Sequence, residues 1–497
     1  MNPALLALAL GGSALAMPPA EDVAREVLGA ANTSFSQPSA GPPPSAPWWQ
    51  SMNDDGLSAV LDQAMTSNHS VLAAWERLSA ARASAWQAGS ALLPTATVSS
   101  GWTRNSTEPT VQQFLNQTAS SNPSVPEDVL EEQILDALGD SYDNANWRLS
   151  GAWTVDLFGA TTTGFLASRW DAKAMEGNQA AQSMAVAANV GAAWYDLVAA
   201  HRRLVTVRDQ VRVGQDLLAL VTLRYEAGEA TALDMLQQRQ QVASIQANLP
   251  AAEAAIDRTG WRLAALLGEN PSRFDPSGLS LPATLPTPPA PPPTGTAADL
   301  LRRRPDLVAA VATAEAADRR RLSAWLGLAP TVQLNAFTGD QGQLFGADAE
   351  EYDWVGNWQI GATASLPLFN GGRKLAAARG GTASARAAFH DLEQSTLNAV
   401  FDVEDARRVL RQRNEELEAR TNQAEAARLS FEDSRTRYAG GLTPYVNVMT
   451  ALNTQQLAEL GLIQARRDLL TAHISLHNAL GAPWALAQGH PDARGLR

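Results

Sequence analysis

The sequence predicts an internally duplicated α+β membrane protein, with four amphipathic strands per chain set among long helices. Three observations lead there. Residues 146–158 (NWRLSGAWTVDLF) and 357–369 (NWQIGATASLPLF) are nearly one strand written twice, 211 positions apart. Each copy is followed by a long helical stretch, over about 162–227 and about 372–439. After residue 16, no stretch offers ~18 consecutive apolar residues, so a helical span is not expected and any membrane crossing must use strands.

The strands alternate with period two. Trp147, Leu149, Gly151, Trp153, Val155 and Leu157 share one parity, and Trp358, Ile360, Ala362, Ala364, Leu366 and Leu368 share the matching one. About 12 such residues, tilted, suit a ~25 Å apolar band, so Trp147, Leu149, Trp153, Val155, Trp358, Ile360 and Leu366 are the expected lipid-facing positions. A soluble sandwich strand would alternate in the same way. Trp102, Trp147, Trp153, Trp354 and Trp358 fall in or beside strands, where interfacial girdles and core packing compete as explanations; Trp153, at mid-strand, suits lipid or core better than a girdle.

Composition narrows the function classes. The chain has 497 residues, no cysteine and a net charge of −13. Disulfides, zinc-cysteine sites, a thiol nucleophile and an acylated N-terminal cysteine are therefore not expected. Thirteen acids lie in two intervals without Lys or Arg, from Glu108 to Asp143 and from Asp340 to Asp353. Acid concentrated in two loops opposes a nucleic-acid partner, which needs a basic footprint, and fits either cell-surface loops or a mouth that enriches cations.

In chain order, residues 1–16 are apolar and end Ala14-Leu15-Ala16, as a secretory signal does, although no Lys or Arg precedes the apolar run. Residues 17–53 are expected to be an extended N-terminal linker, rich in Pro and Ser over 35–50. The first repeat, 54–275, opens at Asp54 or Asp55 with a helix running to about Gly89. A strand follows Pro94, then an acidic loop, the second strand, the long helix, a break at Gly228, and a helix from Ala232 to Leu267-Gly268. Eight prolines between 276 and 294 place a semi-rigid joint at 276–296. The second repeat, 297–484, restates the order, and 485–497 is a tail. Tyr225 and Tyr438, Gly228 and Gly441, Asp234 and Asn447, and Gly268 and Gly481 are each 213 apart.

Helix arithmetic implies an extended shape. A helix of about 66 residues spans ~99 Å, and two shorter ones end to end match it. In the second long helix Phe389, Leu392, Thr396, Ala399, Val403, Ala406, Leu410, Arg413, Leu417, Arg420, Ala424, Ala427 and Phe431 step by three and four, a coiled-coil seam. Leu397, Val400, Phe401 and Val409 form a partial second stripe, as a helical tube needs, although an antiparallel bundle remains compatible. Four strands cannot close a channel, and open edges in lipid leave backbone groups unpaired. Eight would be nearly filled by side chains, so a homotrimer with a twelve-stranded barrel continued by a helical coiled-coil barrel is expected.

Over about 48–484 the chain resembles the TolC/OprM-type outer-membrane factors. The residues that carry this are Leu300-Leu301-Arg302-Arg303-Arg304-Pro305-Asp306-Leu307, Arg437-Tyr438-Ala439-Gly440-Gly441, and the strand exits Asp156-Leu157-Phe158-Gly159 and Pro367-Leu368-Phe369-Asn370-Gly371-Gly372. The resemblance implies a passive exit duct in the outer membrane, extending into the periplasm, that works with a periplasmic adaptor and an inner-membrane transporter. The arginine-rich run resembles the NodT-like subgroup serving resistance-nodulation-division pumps. It also implies adaptor-docking tips at Ala227-Gly228-Glu229 and Gly440-Gly441-Leu442, and a periplasmic aperture lined by Asp234, Asn447 and Thr450, with Arg224 and Arg437 as candidate ion-pair partners. Only Asp234 among the three lining residues is acidic. A type I protein secretion duct and a coiled-coil scaffold without a pore are the alternatives. No cofactor is implied, and no enzymatic chemistry. His473 and His477 stand four apart on a helix, but no third ligand accompanies them.

Overall fold

The computed structural model describes residues 17–30, 35, 47–106, 141–345 and 352–481. The signal-like run, most of both acidic loops and the tail expected over 485–497 lie outside the described residues. The chain divides into two compact units, one built from 83–169 and 316–385, the other from 17–82, 170–315 and the chain from 386 onward.

The first unit holds an antiparallel sheet of β1 (Thr95–Ser106), β2 (Ser141–Val155), β3 (Thr331–Phe345) and β4 (Asp353–Ser365), in the order β1-β2-β3-β4. The register fixes which side chains share a face. Leu149 stands opposite Val98 on one side and Thr338 on the other, Trp153 opposite Leu334, and Ile360 opposite Ala336. Because side chains alternate along a strand, the apolar parities of both repeats fall on one face, with Thr97, Asn146, Gln333 and Gln359 on the other. β1 and β4 are the sheet's edges.

The expected strand assignments need two corrections. Leu366 lies one residue past the end of β4, because Pro367 carries no N–H to continue a ladder. Trp153 is not a mid-strand residue: it sits two positions before the end of β2, and its indole N–H donates to the Leu92 carbonyl at 2.9 Å. Its polar end thus serves the turn before β1, as an interfacial indole does.

In the second unit, α1 (Ala20–Ala30) occupies part of the segment expected to be extended. Ala20, Ala24 and Leu28, four apart on one helical face, are buried in a cluster with Leu300, Leu301 and Leu307, and that burial holds the segment helical. Trp48, Trp49 and Met52, in a short 3-10 turn, are buried in a second cluster around Trp194 and Tyr195. The first helix of the repeat is two, α2 (Asp55–Ser67) and α3 (His69–Ser90). α4 (Ala160–Glu226) is followed by α5 (Ala232–Gln246) and α6 (Leu249–Leu266), which replace one expected helix because Pro250 cannot sit inside it.

The second repeat supplies α7 (Ala297–Arg303), α8 (Pro305–Leu326), α9 (Arg373–Ala439) and α10 (Tyr445–Ala479), the last unbroken. Ten of the thirteen seam positions on α9 are buried, Arg413, Leu417 and Arg420 excepted. On the second stripe Leu397 and Phe401 are exposed. α4 and α9 have 67 residues each, a length of about 100 Å at 1.5 Å per residue.

Candidate functional site

The two helical hairpins of the repeat turn at glycines held in the left-handed region, Gly228 at φ 74° and Gly441 at φ 77°. Both turns close alike. Glu229 N–H donates to Arg224 O at 2.8 Å, and Leu442 N–H donates to Arg437 O at 2.8 Å. These are the paired backbone bonds of a glycine-terminated helix.

Beyond the turn the two tips differ. Thr231 caps α5: its hydroxyl accepts from Asp234 N–H at 3.2 Å, while the Asp234 carboxylate accepts from Thr231 N–H at 3.0 Å. Asp234 is therefore first a capping residue, and its acid is explained without an aperture. In the second repeat the capping threonine is replaced by Pro444, so no such box forms, and Asn447 Nδ2 instead donates to Thr443 Oγ1 at 2.8 Å. Thr450 Oγ1 donates to the Val446 carbonyl at 2.9 Å. The loss of acid between Asp234 and Asn447 follows the loss of the cap.

The arginines diverge more sharply. Arg224 lies with its guanidinium carbon 4.6 Å from the centroid of the Tyr438 ring, and its side chain is 12% exposed. Its Nη2 is 3.6 Å from Glu229, while Nε and Nη1 are buried without a hydrogen-bond partner. Tyr438 meets Tyr445 edge-on at 6.0 Å, and the Tyr445 hydroxyl donates to Gln238 Oε1 at 2.7 Å. Burial pushes both phenols above the ordinary tyrosine value; at Tyr438 the Arg224 charge opposes it. Arg437, by contrast, is 62% exposed and pairs with Asp433 on its own helix at 2.8 Å. Ala227, Gly228, Glu229, Gly440, Gly441 and Leu442 are all exposed.

On the strands, Trp147, Leu149, Trp153, Trp358 and Ile360 are exposed, Ile360 to 76%, and Val155 is half-buried. Trp147 Nε1 donates to Asp340 at 2.9 Å near the middle of β2, and nearer the loop end of the sheet Arg104 pairs with Asp143 at 2.7 and 2.9 Å. Of the two β2 indoles on the apolar face, Trp153 stands at the turn end and Trp147 near the middle of the strand.

A model of the family described as outer membrane efflux protein matches residues 60–269 and 297–482. The chain belongs to that family. This outer membrane efflux protein is 26% identical over 449 residues to the pyoverdine export outer membrane protein OpmQ of Pseudomonas aeruginosa, across 88% of this chain and 87% of the relative. It is 26% identical over 450 residues to nodulation protein T of Rhizobium leguminosarum bv. viciae, across 90% and 86%. Its fold is that of the solved outer-membrane channels OprN (TM-score 0.73, 24% identity, 91% of this chain and 98% of that one) and Campylobacter jejuni CmeC (TM-score 0.77, 16% identity, 93% of each). Family and fold are those of outer-membrane channels, not of enzymes.

The arginine run that carried the resemblance has a structural task in this efflux protein. Arg304 sits immediately before α8, donates to the carbonyls of Ala479 (3.1 Å) and Ala399 (3.5 Å), and pairs with Asp306 (2.7 Å) and Asp402 (2.9 Å). Burial opposes its charge; the two carboxylates outweigh burial and hold its pKa above the ordinary arginine value. Asn68, immediately before α3, does the same for the first repeat. Its Nδ2 donates to Leu266 O at 2.7 Å, and Oδ1 accepts from Ser70 and Val71 N–H. Leu266 and Ala479 are 213 apart, like the glycines after them, so each repeat caps its last helix from the preceding helix junction.

His473 and His477 are buried on α10, His477 stacked 6.1 Å from Trp48, and burial lowers both imidazoles to about 4. Among the described residues no metal-holding cluster occurs.

Proposed function

We propose that three copies of this chain join their four-stranded sheets edge to edge into a twelve-stranded barrel in the outer membrane, and that the helices form a periplasmic duct. A periplasmic adaptor docks at the glycine tips, and a resistance-nodulation-division transporter supplies the energy and selects the cargo. The single observation that carries the barrel is the register: every strand presents its apolar parity to the same face, while among the described residues β1 and β4 each leave one edge unpaired. An unpaired edge in hydrocarbon is costly, and pairing with another copy removes that cost. Trp147, Leu149, Trp153, Val155, Trp358 and Ile360 face lipid, and Leu366 continues that face at the strand exit. Polar side chains such as Asn146, Arg148 and Gln359 line the lumen.

At the periplasmic aperture, Asn447 and Thr450 supply neutral groups and Asp234 a carboxylate engaged in its cap, which favours weak cation preference. Restoring export in a strain deprived of its own outer-membrane factors, with a matched adaptor and transporter supplied, tests the reading. Renewed efflux of a fluorescent pump substrate is expected. Assembled protein with no efflux for any such pump set would overturn it.

A further inference from the structure

The repeat gives each chain two Arg–Tyr pairs of identical spacing, Arg224-Tyr225 and Arg437-Tyr438, and within the chain Arg224 of the first meets Tyr438 of the second. The complementary halves, Tyr225 and Arg437, are both left exposed. We propose that Arg437 of one copy stacks on Tyr225 of a second copy, making between chains the contact that Arg224 makes with Tyr438 within one. The proposal rests on the oligomeric reading above and adds to it that the first-repeat hairpin of one copy stands beside the second-repeat hairpin of the next.

Three differences between equivalent positions support it. Tyr438 is 3% exposed and Tyr225 is 42% exposed, so the ring at the first tip is far less covered than its equivalent. A Cβ added at Gly441 would stand 3.5 Å from Arg224 Nη2, whereas one added at Gly228, in the same backbone conformation, meets nothing within 4 Å. The space an arginine fills over the second tip is open over the first. Glu229 reaches Arg224, but its equivalent is Leu442, so no turn carboxylate holds Arg437 back; Asp433 alone does, from an exposed position. Leu223, Leu233 and Leu236 around the first tip are exposed as well, a surface that a neighbouring hairpin would cover.

The contact between copies is the more separable one. Leu217 and Val221 of α4 are buried together with Phe431 and Tyr438 in one hydrophobic cluster. Their equivalents on α9 are Ser430 and Ser434, which would bring hydroxyls, not aliphatic groups, to the second copy. Arginine over tyrosine is a favourable pairing even where water reaches it.

The chain has no cysteine, so the full-length Arg437→Cys/Tyr225→Cys variant carries two thiols alone. Treated in membranes with a short bifunctional thiol reagent, it is expected to yield covalent dimers and trimers on denaturing gels. Arg224→Cys/Tyr438→Cys is expected to link within the chain and stay monomeric on the same gels. A detergent-extracted mass of three copies without covalent oligomers would overturn the proposal and leave the trimer standing; a monomeric mass would overturn both. As a second readout, Arg437→Gln and Tyr225→Leu should each lower the temperature at which trimers dissociate, and together no further than the larger single effect. Additive losses would contradict the contact.

Discussion

The two repeats share a backbone plan but assign its chemistry differently. At the helix junctions they agree: Asn68 and Arg304 each cap the last helix of their own repeat from the residue before a helix start. At the tips they part, with Arg224 buried over Tyr438 and Arg437 exposed beside Asp433. A duplicated chain that closes on itself only through further copies must have one set of repeat contacts inside the chain and another left open. Where both repeats meet the same internal surroundings they keep the same contact by different residues. Where one meets the chain and the other meets a neighbour, the same residues take different environments.

The largest expected difference between the repeats is in pH response. His473 and His477 have Gly260 and Ala264 as their equivalents, so the second repeat alone buries imidazoles at this level. Their folded values, lowered from 6.5 to about 4, leave stability intact above pH 6.5 and remove it as the pH falls from 6.5 toward 4. Protonation favours the unfolded chain by about 3 kcal/mol per imidazole. The thermal midpoint of a His473→Leu/His477→Leu variant should therefore fall less between pH 7 and pH 4 than that of the parent. An unchanged fall would mean that the pair is not what titrates.

On the strands the repeats should be indistinguishable. Leu149→Arg and Ile360→Arg each place a cation on the apolar face, at a cost of about 2–4 kcal/mol near mid-bilayer, and should cut the yield of assembled protein. Ser150→Arg, on the opposite face, should be tolerated. Assembly of the first two at parental yield would reassign the face.

At the helix junctions, Arg304→Met should lower stability by about 2–3 kcal/mol, because it strips a buried carbonyl and a helix C-terminus of their donor. Asn68→Ala should lose about 1 kcal/mol. Thermal unfolding that ranked them in the reverse order would sink the idea that both are caps of one kind. At the turns the contrast is slight: Gly228→Val and Gly441→Val each impose a left-handed backbone on a branched residue, about 1–2 kcal/mol. At Gly441 the added methyls also press on Arg224, so efflux should fall further there; equal efflux would mean that Arg224 is not held over the second tip.

Much of the fold is legible in the sequence. The strand parity, the α9 seam and the glycine turns are local periodicities, and local periodicity is what a sequence displays. The caps were harder to see, because Asn68 and Arg304 share no chemistry and their partner carbonyls lie about 200 and 175 residues away in the chain. Pro250 did signal the α5–α6 break, and the four-residue spacing of Ala20, Ala24 and Leu28 signalled α1 within a segment whose Pro and Ser content suggested an extended chain. The capping role of Asp234 is legible too, in Thr231 three residues before it. Trp153 needed the register itself, since the start and end of a strand are not marked by alternation.

The duct itself is tested most directly by single-channel recording of the purified protein in planar bilayers. Discrete, water-filled conductance steps with weak cation preference are the expected result, and a rise in cation preference for Asn447→Asp would place that residue in the current path. Membrane-inserted protein that never conducts, in either polarity and equally in an Arg224→Ala variant that removes the contact with Tyr438, would contradict a channel.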